Sequence, residues 1–242
     1  MRALAEQVLP RWVFERIRAI RSRQWQVSFL RHSGLLTQVK KHIACKGLKV
    51  LDGPFAGMTY PPDSALIRWC VPKLVGSYEK ELHPFLFQAG MKGYDCVIDI
   101  GSAEGYYACG LARMLNIPVH AYDPEPKEKA FTISMAKLNN VAHLVKAGNL
   151  FTPSDMKEFS LQRVLVVCDC EGFEETLFTP TTLELTRRWD LLIELHGSAE
   201  QVLPALQWPH KTQVIPIQNR KGEEDEYRPG RQSFLVCEAM DS

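Results

Sequence analysis

From residue 94 onward, short apolar runs alternate with longer stretches in which apolar residues recur every three or four positions. The apolar runs predict seven β-strands, at residues 95–100, 118–122, 141–146, 163–169, 190–195, 212–217 and 233–238. Helical spacing fills most of the gaps between them, as at 104–116 and 125–139. Only a polar stretch separates the last two runs, so we expect them to pair as an antiparallel hairpin at one edge of the sheet.

One of these runs is apolar at five consecutive positions, VLVVC at 164–168. Strands that are apolar on both faces and alternate with helices are typical of a mainly parallel sheet that helices cover on both sides. We therefore predict an α/β fold with a doubly wound, mainly parallel seven-stranded sheet that ends in an antiparallel C-terminal hairpin.

The first fifth of the chain differs from the rest in charge. Residues 1–50 contain eleven lysines and arginines against two glutamates, whereas the remainder is acidic. Apolar residues at helical spacing between the arginines predict one or two amphipathic helices, and we place a boundary between a basic helical segment, 1–48, and a domain at 49–242. The apolar stripe is expected to pack on the domain or on a second copy in a homodimer. The alternative is contact with a membrane surface or an acidic acceptor. Nucleic acid is disfavoured, because basic and aromatic residues do not interleave.

Composition narrows the class of protein. Of the 242 residues, 45% are hydrophobic and 24% are charged, which is ordinary for a globular protein. The longest apolar run has five residues, far short of the roughly 20 that a membrane-spanning helix needs. Charges interrupt the first 23 residues, so they do not resemble a secretory signal. Seven cysteines without a CxxC pair indicate reduced thiols, and we predict a cytoplasmic location.

The first strand ends in DIGSAEG, residues 99–105. Ligands of such sheets bind beyond the carboxyl ends of the strands. Gly101 allows a sharp turn, Gly105 allows the next helix to pack closely, and the unpaired N–H groups of the helix N-terminus suit a carboxylate or a phosphate. An NAD-type fingerprint would require glycine also at positions 103 and 106, where this chain has Ala103 and Tyr106.

Two acidic residues favour a different ligand. Asp99 precedes Gly101 by two residues, where it would repel a pyrophosphate but accept hydrogen bonds from an ammonium group. Asp123 ends the second strand, 22 residues after Gly101, where a carboxylate accepts both ribose hydroxyls. An ammonium, a carboxylate and a ribose occur together in S-adenosylmethionine. The alternative is a structural turn whose acidic residue caps the helix.

The segment DIGSAEG resembles motif I of the class I methyltransferases. Three further segments resemble the FkbM type: GPFAGMTYP with GSYEKELHP, then CDCEGFEETLF, then LLIELHG. Together they cover residues 53 to about 196. The chain departs from the family at Ala103 and Glu104, where an Asn-Ile pair is common, and this would place a second negative charge at the mouth of the pocket.

The resemblance implies a Rossmann-like domain with a cofactor half at about 78–150 and an acceptor side at about 163–200. Its implied cofactor-binding residues are Asp99, Gly101, Ser102 and Gly105 for the methionine end, Asp123 for the ribose, Asn149 for the adenine, and Tyr78 and Glu79 closing over the cofactor. For Tyr78 and Tyr106 the alternative is packing in the core.

The acceptor side is expected at the ends of the fourth and fifth strands, which carry Asp169, Glu171, Glu194 and His196. We predict His196 as the catalytic base, because an ordinary histidine pKa of about 6.5 suits proton removal near neutral pH. Asp169 or Glu171 is the second choice, with Glu194 beside His196 on the same face. These groups also suit a divalent ion, but we predict no metal, and His196 has the alternative of a packing role.

The predicted function is S-adenosylmethionine-dependent methylation, on the hydroxyl of a glycan, a small-molecule metabolite or a lipid-linked acceptor. The alternative is a non-catalytic module that retains the fold and binds the cofactor or a partner. The presence of Asp99, Gly101 and Asp123 argues against that module.

Overall fold

A seven-stranded sheet forms the centre of the computed structural model, which describes residues 35–62, 70–218 and 232–240. The strands are β1 (Cys96–Ile100), β2 (Val119–Tyr122), β3 (Val145–Gly148), β4 (Val164–Cys168), β5 (Trp189–Leu195), β6 (His210–Pro216) and β7 (Ser233–Ala239). Their order is β3-β2-β1-β4-β5-β7-β6. The first five strands pair in parallel, whereas β7 is antiparallel to both β5 and β6. The predicted fold class and the hairpin are therefore confirmed.

Eight α-helices and three short 3₁₀-helices accompany the sheet in the described part of the chain. The α-helices are α1 (Leu35–Lys46), α2 (Cys70–Val75), α3 (His83–Ala89), α4 (Tyr106–Leu115), α5 (Pro126–Leu138), α6 (Met156–Phe159), α7 (Glu174–Leu177) and α8 (Ala199–Val202). The 3₁₀-helices are Lys80–Leu82, Leu183–Thr186 and Leu203–Ala205. Both crossover helices lie within the predicted ranges 104–116 and 125–139.

The core is divided between the two faces of the sheet, because side chains alternate along each strand. In β1, Val97 belongs to the cluster that packs against α4, whereas Cys96, Ile98 and Ile100 belong to the cluster on the opposite face. All five residues of β1 and all seven of β5 are buried. This burial on both faces explains why most positions of the central strands are apolar.

The third strand begins later than predicted. Residues 141–144 form a turn after α5, in which Val141 N–H bonds to the carbonyl of Ala136 and Leu144 N–H to that of Val141. The apolar side chains of Val141 and Leu144 pack on the core from this turn, so they do not mark a strand. β3 therefore spans Val145–Gly148, and the prediction of 141–146 was wrong by four residues at its start.

Most of the basic segment, residues 1–34, lies outside the described residues. Its predicted helices and its contacts with a second copy, a membrane or an acidic acceptor stay predictions. Within α1, Ile43 packs against the core. Among the helices that the structure describes, none is long and apolar enough to cross a membrane. All seven cysteines are free thiols.

Candidate functional site

The turn after β1 is held tightly between its neighbours. The N–H groups of Gly101 and Ser102 donate to the carbonyl of Tyr122, at 2.9 and 3.1 Å. Gly101 has φ of 82°, and a Cβ atom there would lie 1.7 Å from the carbonyl oxygen of Asp169. The predicted sharp turn at Gly101 is confirmed. The absence of a side chain at Gly101 also leaves room for the carbonyl of Asp169 at the end of β4. The N–H groups of Gly101 and Ser102 are occupied by the end of β2.

Gly105 performs the predicted packing role at the start of α4. Its φ is 91°, and a Cβ atom there would lie 3.0 Å from the Cα atom of Thr132 in α5. Thr132 also donates its hydroxyl to the carbonyl of Ala103. Close contact between α4 and α5 therefore fixes the turn from outside, and Ser102 is buried within it.

Asp99, near the end of β1, is only 2% exposed. One oxygen accepts a hydrogen bond from the N–H of Ala108, which caps α4, whereas Oδ2 accepts none within the described residues. Burial raises the pKa of Asp99 to about 7, although the bond from Ala108 opposes the shift. Asp99 thus caps the helix, as the alternative interpretation required, and retains one oxygen for a ligand.

Asp123 and Asn149 follow the neighbouring strands β2 and β3. Asp123 accepts hydrogen bonds from the N–H groups of Ala103 at 3.0 Å and Glu125 at 2.8 Å. Partial burial raises its pKa, against these two bonds. Asn149 is exposed and accepts a bond from Lys129 at 3.0 Å. Since parallel strands end at the same edge of a sheet, Asp99, Asp123 and Asn149 form a row of polar groups along one edge.

Glu104 lies in the interior, so the prediction that it adds charge at the pocket mouth was wrong. It is 1% exposed, and its carboxylate lies 2.5 Å from Lys73 Nζ and 3.2 Å from the Tyr60 hydroxyl. Burial alone would lower the pKa of Lys73, but the Glu104 carboxylate raises it above its ordinary value. The ion pair joins α2 to the turn after β1.

Tyr78 and Tyr106 belong to a buried aromatic cluster with Phe55. The rings of Tyr78 and Tyr106 meet edge to face at 5.6 Å, and Lys73 Nζ lies 4.7 Å from the centre of the Tyr78 ring. These contacts support the core-packing alternative. Glu79 is also buried and accepts a hydrogen bond from the Tyr107 hydroxyl. Closure of Tyr78 and Glu79 over a cofactor stays a prediction.

The four predicted acceptor-side residues converge at the ends of β4 and β5. His196 Nε2 lies 3.4 Å from a carboxylate oxygen of Glu194, 3.7 Å from Asp169 and 3.9 Å from Glu171. The other ring nitrogen, Nδ1, lies 2.9 Å from Glu174 Oε1. We call these five residues the acid–histidine cluster. One imidazole is therefore surrounded by four carboxylates.

The charges and burial of the acid–histidine cluster shift the pKa values of His196 and Asp169 far from their ordinary values. Burial alone would lower the pKa of His196, but hydrogen bonds with Glu174 and Glu194 and the charge of Asp169 raise it to about 11. Burial, followed by the charges of Glu194 and Glu79, raises the pKa of Asp169 well above its usual range. The expectation of an ordinary pKa for His196 was wrong. Its imidazole is protonated at neutral pH and has no lone pair with which to accept a proton.

Glu174 is the member of the cluster that the sequence did not reveal. It begins α7, is 0% exposed, and also accepts a hydrogen bond from the N–H of Cys170. Two consecutive glutamates at the start of a helix normally indicate a solvent-facing first turn. Only the fold shows that Glu174 points inward to His196.

Comparison with known proteins gives matches in structure but not in sequence. No family model and no curated protein matches the chain. Cofactor-bound Rv0187 from MTB is 13% identical with a TM-score of 0.53, over 84% of this chain and 95% of that one. The MTase domain of METTL16, in its second crystal form, is 13% identical with a TM-score of 0.50, over 76% and 74% of the two chains. At this identity the similarity shows a shared fold.

Proposed function

We propose that this chain transfers a methyl group from S-adenosylmethionine to a hydroxyl oxygen. The observation that carries the proposal is the edge of the sheet where two sets of polar groups meet. Asp99 lies near the end of β1, Asp123 follows β2 and Asn149 follows β3. The acid–histidine cluster lies beside them, at the ends of β4 and β5. The fold shared with the METTL16 MTase domain supports the same interpretation.

The residues at β1 to β3 fit the proposed cofactor. Asp99 Oδ2 is a buried oxygen without a hydrogen-bond donor in the described chain, which suits the ammonium group of the methionine end. In this proposal Asp123 binds the ribose hydroxyls and Asn149 the adenine, while Gly101, Ser102 and Gly105 form the turn after β1. When bound, S-adenosylmethionine supplies a methyl group on a positively charged sulfur that leaves readily.

The chain's own contribution is to orient the acceptor and remove its proton. Methyl transfer requires the acceptor oxygen in line with the methyl group and the sulfur, so alignment supplies a large part of the rate. With His196 protonated, the proton of the hydroxyl passes to a carboxylate oxygen of the cluster. His196, fixed by Glu174, then acts as a positively charged donor that orients those carboxylates and the acceptor.

We infer an FkbM-type enzyme from the resemblance of its segments, with a glycan, a metabolite or a lipid-linked hydroxyl as the acceptor class. The basic N-terminal segment favours an acceptor that is acidic or lies at a membrane surface, because opposite charge concentrates such a molecule near the site.

The test is calorimetric titration of the full chain with S-adenosylhomocysteine, with NAD as the control ligand. We expect saturable micromolar binding of S-adenosylhomocysteine and none of NAD. Binding of neither ligand would overturn the proposed cofactor. Binding of S-adenosylhomocysteine without methyl transfer to any acceptor in a labelled extract would favour the non-catalytic module.

A further inference from the structure

Three side chains of the acid–histidine cluster offer one donor atom each to a common point. The donor atoms of Asp169, Glu171 and His196 all lie within 4.8 Å of one another. Two donors bound to one divalent ion at about 2.0–2.4 Å can be separated by at most about 4–5 Å. The distances of 3.7 and 3.9 Å from His196 Nε2 to the two carboxylates lie inside this limit.

A second, independent observation is how His196 is held. Its Nδ1 faces Glu174 Oε1 at 2.9 Å, and the Glu174 side chain is completely buried. A histidine that binds a metal through Nε2 almost always donates Nδ1–H to a carboxylate or carbonyl, which fixes the ring and its tautomer. Glu174 therefore directs Nε2 toward the carboxylates of Glu194, Asp169 and Glu171, of which Glu194 is nearest at 3.4 Å.

Buried oxygens around the cluster also lack the hydrogen bonds that they would normally have. Asp169 Oδ1, the atom that faces His196 Nε2, is buried and accepts no hydrogen bond from the residues described. The second oxygen of Glu174, Oε2, is in the same state. Buried carboxylate oxygens without donors are costly, and a cation provides the missing interaction.

We propose that Asp169, Glu171 and His196 bind one divalent cation, which displaces the proton from His196 Nε2 to solvent, with Glu174 positioning the histidine. A mixed set of two carboxylates and one imidazole suits Mn²⁺ or a similar ion that accepts both oxygen and nitrogen. The side chain of Glu171 is 84% exposed and that of Asp169 38%, so the site opens toward solvent on the side where an acceptor would enter. This leaves coordination positions for water and for the acceptor.

The role of the ion rests on the proposed function, although its binding does not. An acceptor hydroxyl on a divalent ion loses its proton more readily, here to Glu194, the carboxylate of the cluster that neither binds the ion nor positions His196, and its oxygen becomes a better nucleophile. A positively charged amine acceptor would be held by the same carboxylates in its protonated form, without the lone pair that methylation needs. The cluster therefore favours a hydroxyl bound to a cation over an amine.

The test is titration of the full chain with Mn²⁺, followed by loss of the electron paramagnetic resonance signal of the free ion. We expect one Mn²⁺ per chain, and affinity at least tenfold weaker in both Glu171→Gln and Asp169→Asn. Glu184→Gln removes another exposed carboxylate, 62% accessible and away from the cluster, and is expected to keep wild-type affinity. Since Glu171 is so exposed, its substitution does not endanger folding, and thermal unfolding of each variant checks this.

Two outcomes would overturn the proposal: no saturable Mn²⁺ binding by the wild type, or unchanged affinity in folded Glu171→Gln. Displacement of bound Mn²⁺ by an amine such as spermidine, at lower concentration than Mn²⁺ itself requires, would also overturn the proposal in favour of a cationic acceptor. Titration of the same samples with S-adenosylhomocysteine separates the two proposals. Mn²⁺ binding without S-adenosylhomocysteine binding would overturn the proposed function alone, and the reverse would overturn the metal site alone.

Discussion

At the scale of single residues, the burial of Asp99 both destabilises its ionised form and favours its proposed contact with an ammonium group. Its carboxylate is nearly inaccessible to water, so ionisation is unfavourable and the pKa rises to about 7. The same isolation strengthens an interaction with an ammonium group, because little solvent competes for Oδ2. We therefore expect this position to reduce the stability of the free protein and to favour the bound one.

Replacing Asp99 by asparagine tests both effects. The folded pKa of about 7 exceeds the ordinary value of 3.8, so the folded state holds the proton more tightly and stability falls as pH rises from about 4 to 7. Asp99→Asn removes this loss, and we expect about 1–3 kcal/mol greater stability at pH 8 but at least tenfold weaker S-adenosylhomocysteine binding. Urea unfolding at pH 5 and 8 and calorimetry measure the two effects.

Asp95→Asn is the matched control for Asp99→Asn. Asp95 lies just before β1, is exposed, and accepts a hydrogen bond from the N–H of Arg163 that asparagine can also accept. Its substitution should change neither stability nor ligand affinity appreciably. An Asp99→Asn protein with wild-type affinity for S-adenosylhomocysteine would contradict the ammonium contact.

The sequence predicts strand-end residues better than it predicts the direction of a carboxylate. Asp123 and His196 were correctly placed because each immediately follows an apolar run, and the ends of parallel strands share one edge. Glu104 was misplaced because its partner, Lys73, lies 31 residues earlier in a helix with no local signal of that contact. Glu174 was missed for the same reason, since His196 lies 22 residues further on.

At the level of elements, Gly101 sets the distance between the ends of β1 and β4. The carbonyl of Asp169 occupies the space that any side chain at position 101 would need. β1 and β4 are paired along their whole length, so neither can retreat without loss of sheet hydrogen bonds. The turn after β1 and the acid–histidine cluster are therefore held in one geometry by this contact.

Gly101→Ala should be much more damaging than an alanine at another glycine with positive φ. We expect a loss of about 3 kcal/mol or more in the free energy of unfolding, from backbone strain and the clash with Asp169 together. Gly93→Ala is the control, because φ is 64° but a Cβ atom there meets no described heavy atom within 4 Å. Strain alone should cost it about 1 kcal/mol. Equal losses in urea unfolding would show that the 1.7 Å contact relaxes at little cost.

Hydrophobicity located β1, β4 and β5 well, because burial on both faces makes most of their positions apolar. It failed at β3, whose residues are at least partly exposed. There the apolar residues of the preceding turn, Val141 and Leu144, gave a stronger signal than the strand itself. Hydrophobicity records contact with the core, and turns also make such contacts.

At the level of the whole molecule, a second cluster of charged residues links β5, β7 and the segment before β1, at the edge of the sheet opposite the candidate site. Asp190, at the start of β5, lies 2.9 Å from Lys92 Nζ and accepts hydrogen bonds from the Tyr94 hydroxyl at 2.5 Å and the N–H of Ala239 at 2.7 Å. Lys92 also binds Glu238 in β7. The cluster joins the segment before β1 to the last strand, across most of the chain length.

Acid should weaken the interactions that Asp190 makes with Lys92 and Tyr94. Burial alone would raise the pKa of Asp190, but the bonds from Lys92 and Tyr94 lower it below its ordinary value. The carboxylate therefore stabilises the fold above the unfolded pKa of about 4, and this contribution is lost as pH falls through the lower folded value. We expect Asp190→Asn to cost about 2–3 kcal/mol at pH 7 in urea unfolding, with a smaller difference from the wild type at pH 3.

Glu184→Gln provides the comparison for Asp190→Asn, since its ion pair with Arg187 is exposed on the surface. It should leave stability nearly unchanged at either pH. An Asp190→Asn difference that did not shrink in acid would mean that packing, and not the charge, explains the loss.

The position of β7 has a consequence for how the protein is made on the ribosome. β7 follows the other six strands in the chain, yet it lies between β5 and β6. Until residues 233–239 emerge, β5, which is buried along its whole length in the folded protein, ends in a bare hydrogen-bonding edge. Such an edge is a template for aggregation. A chain released before residue 233 would therefore contain six of the seven strands and still be prone to associate through β5.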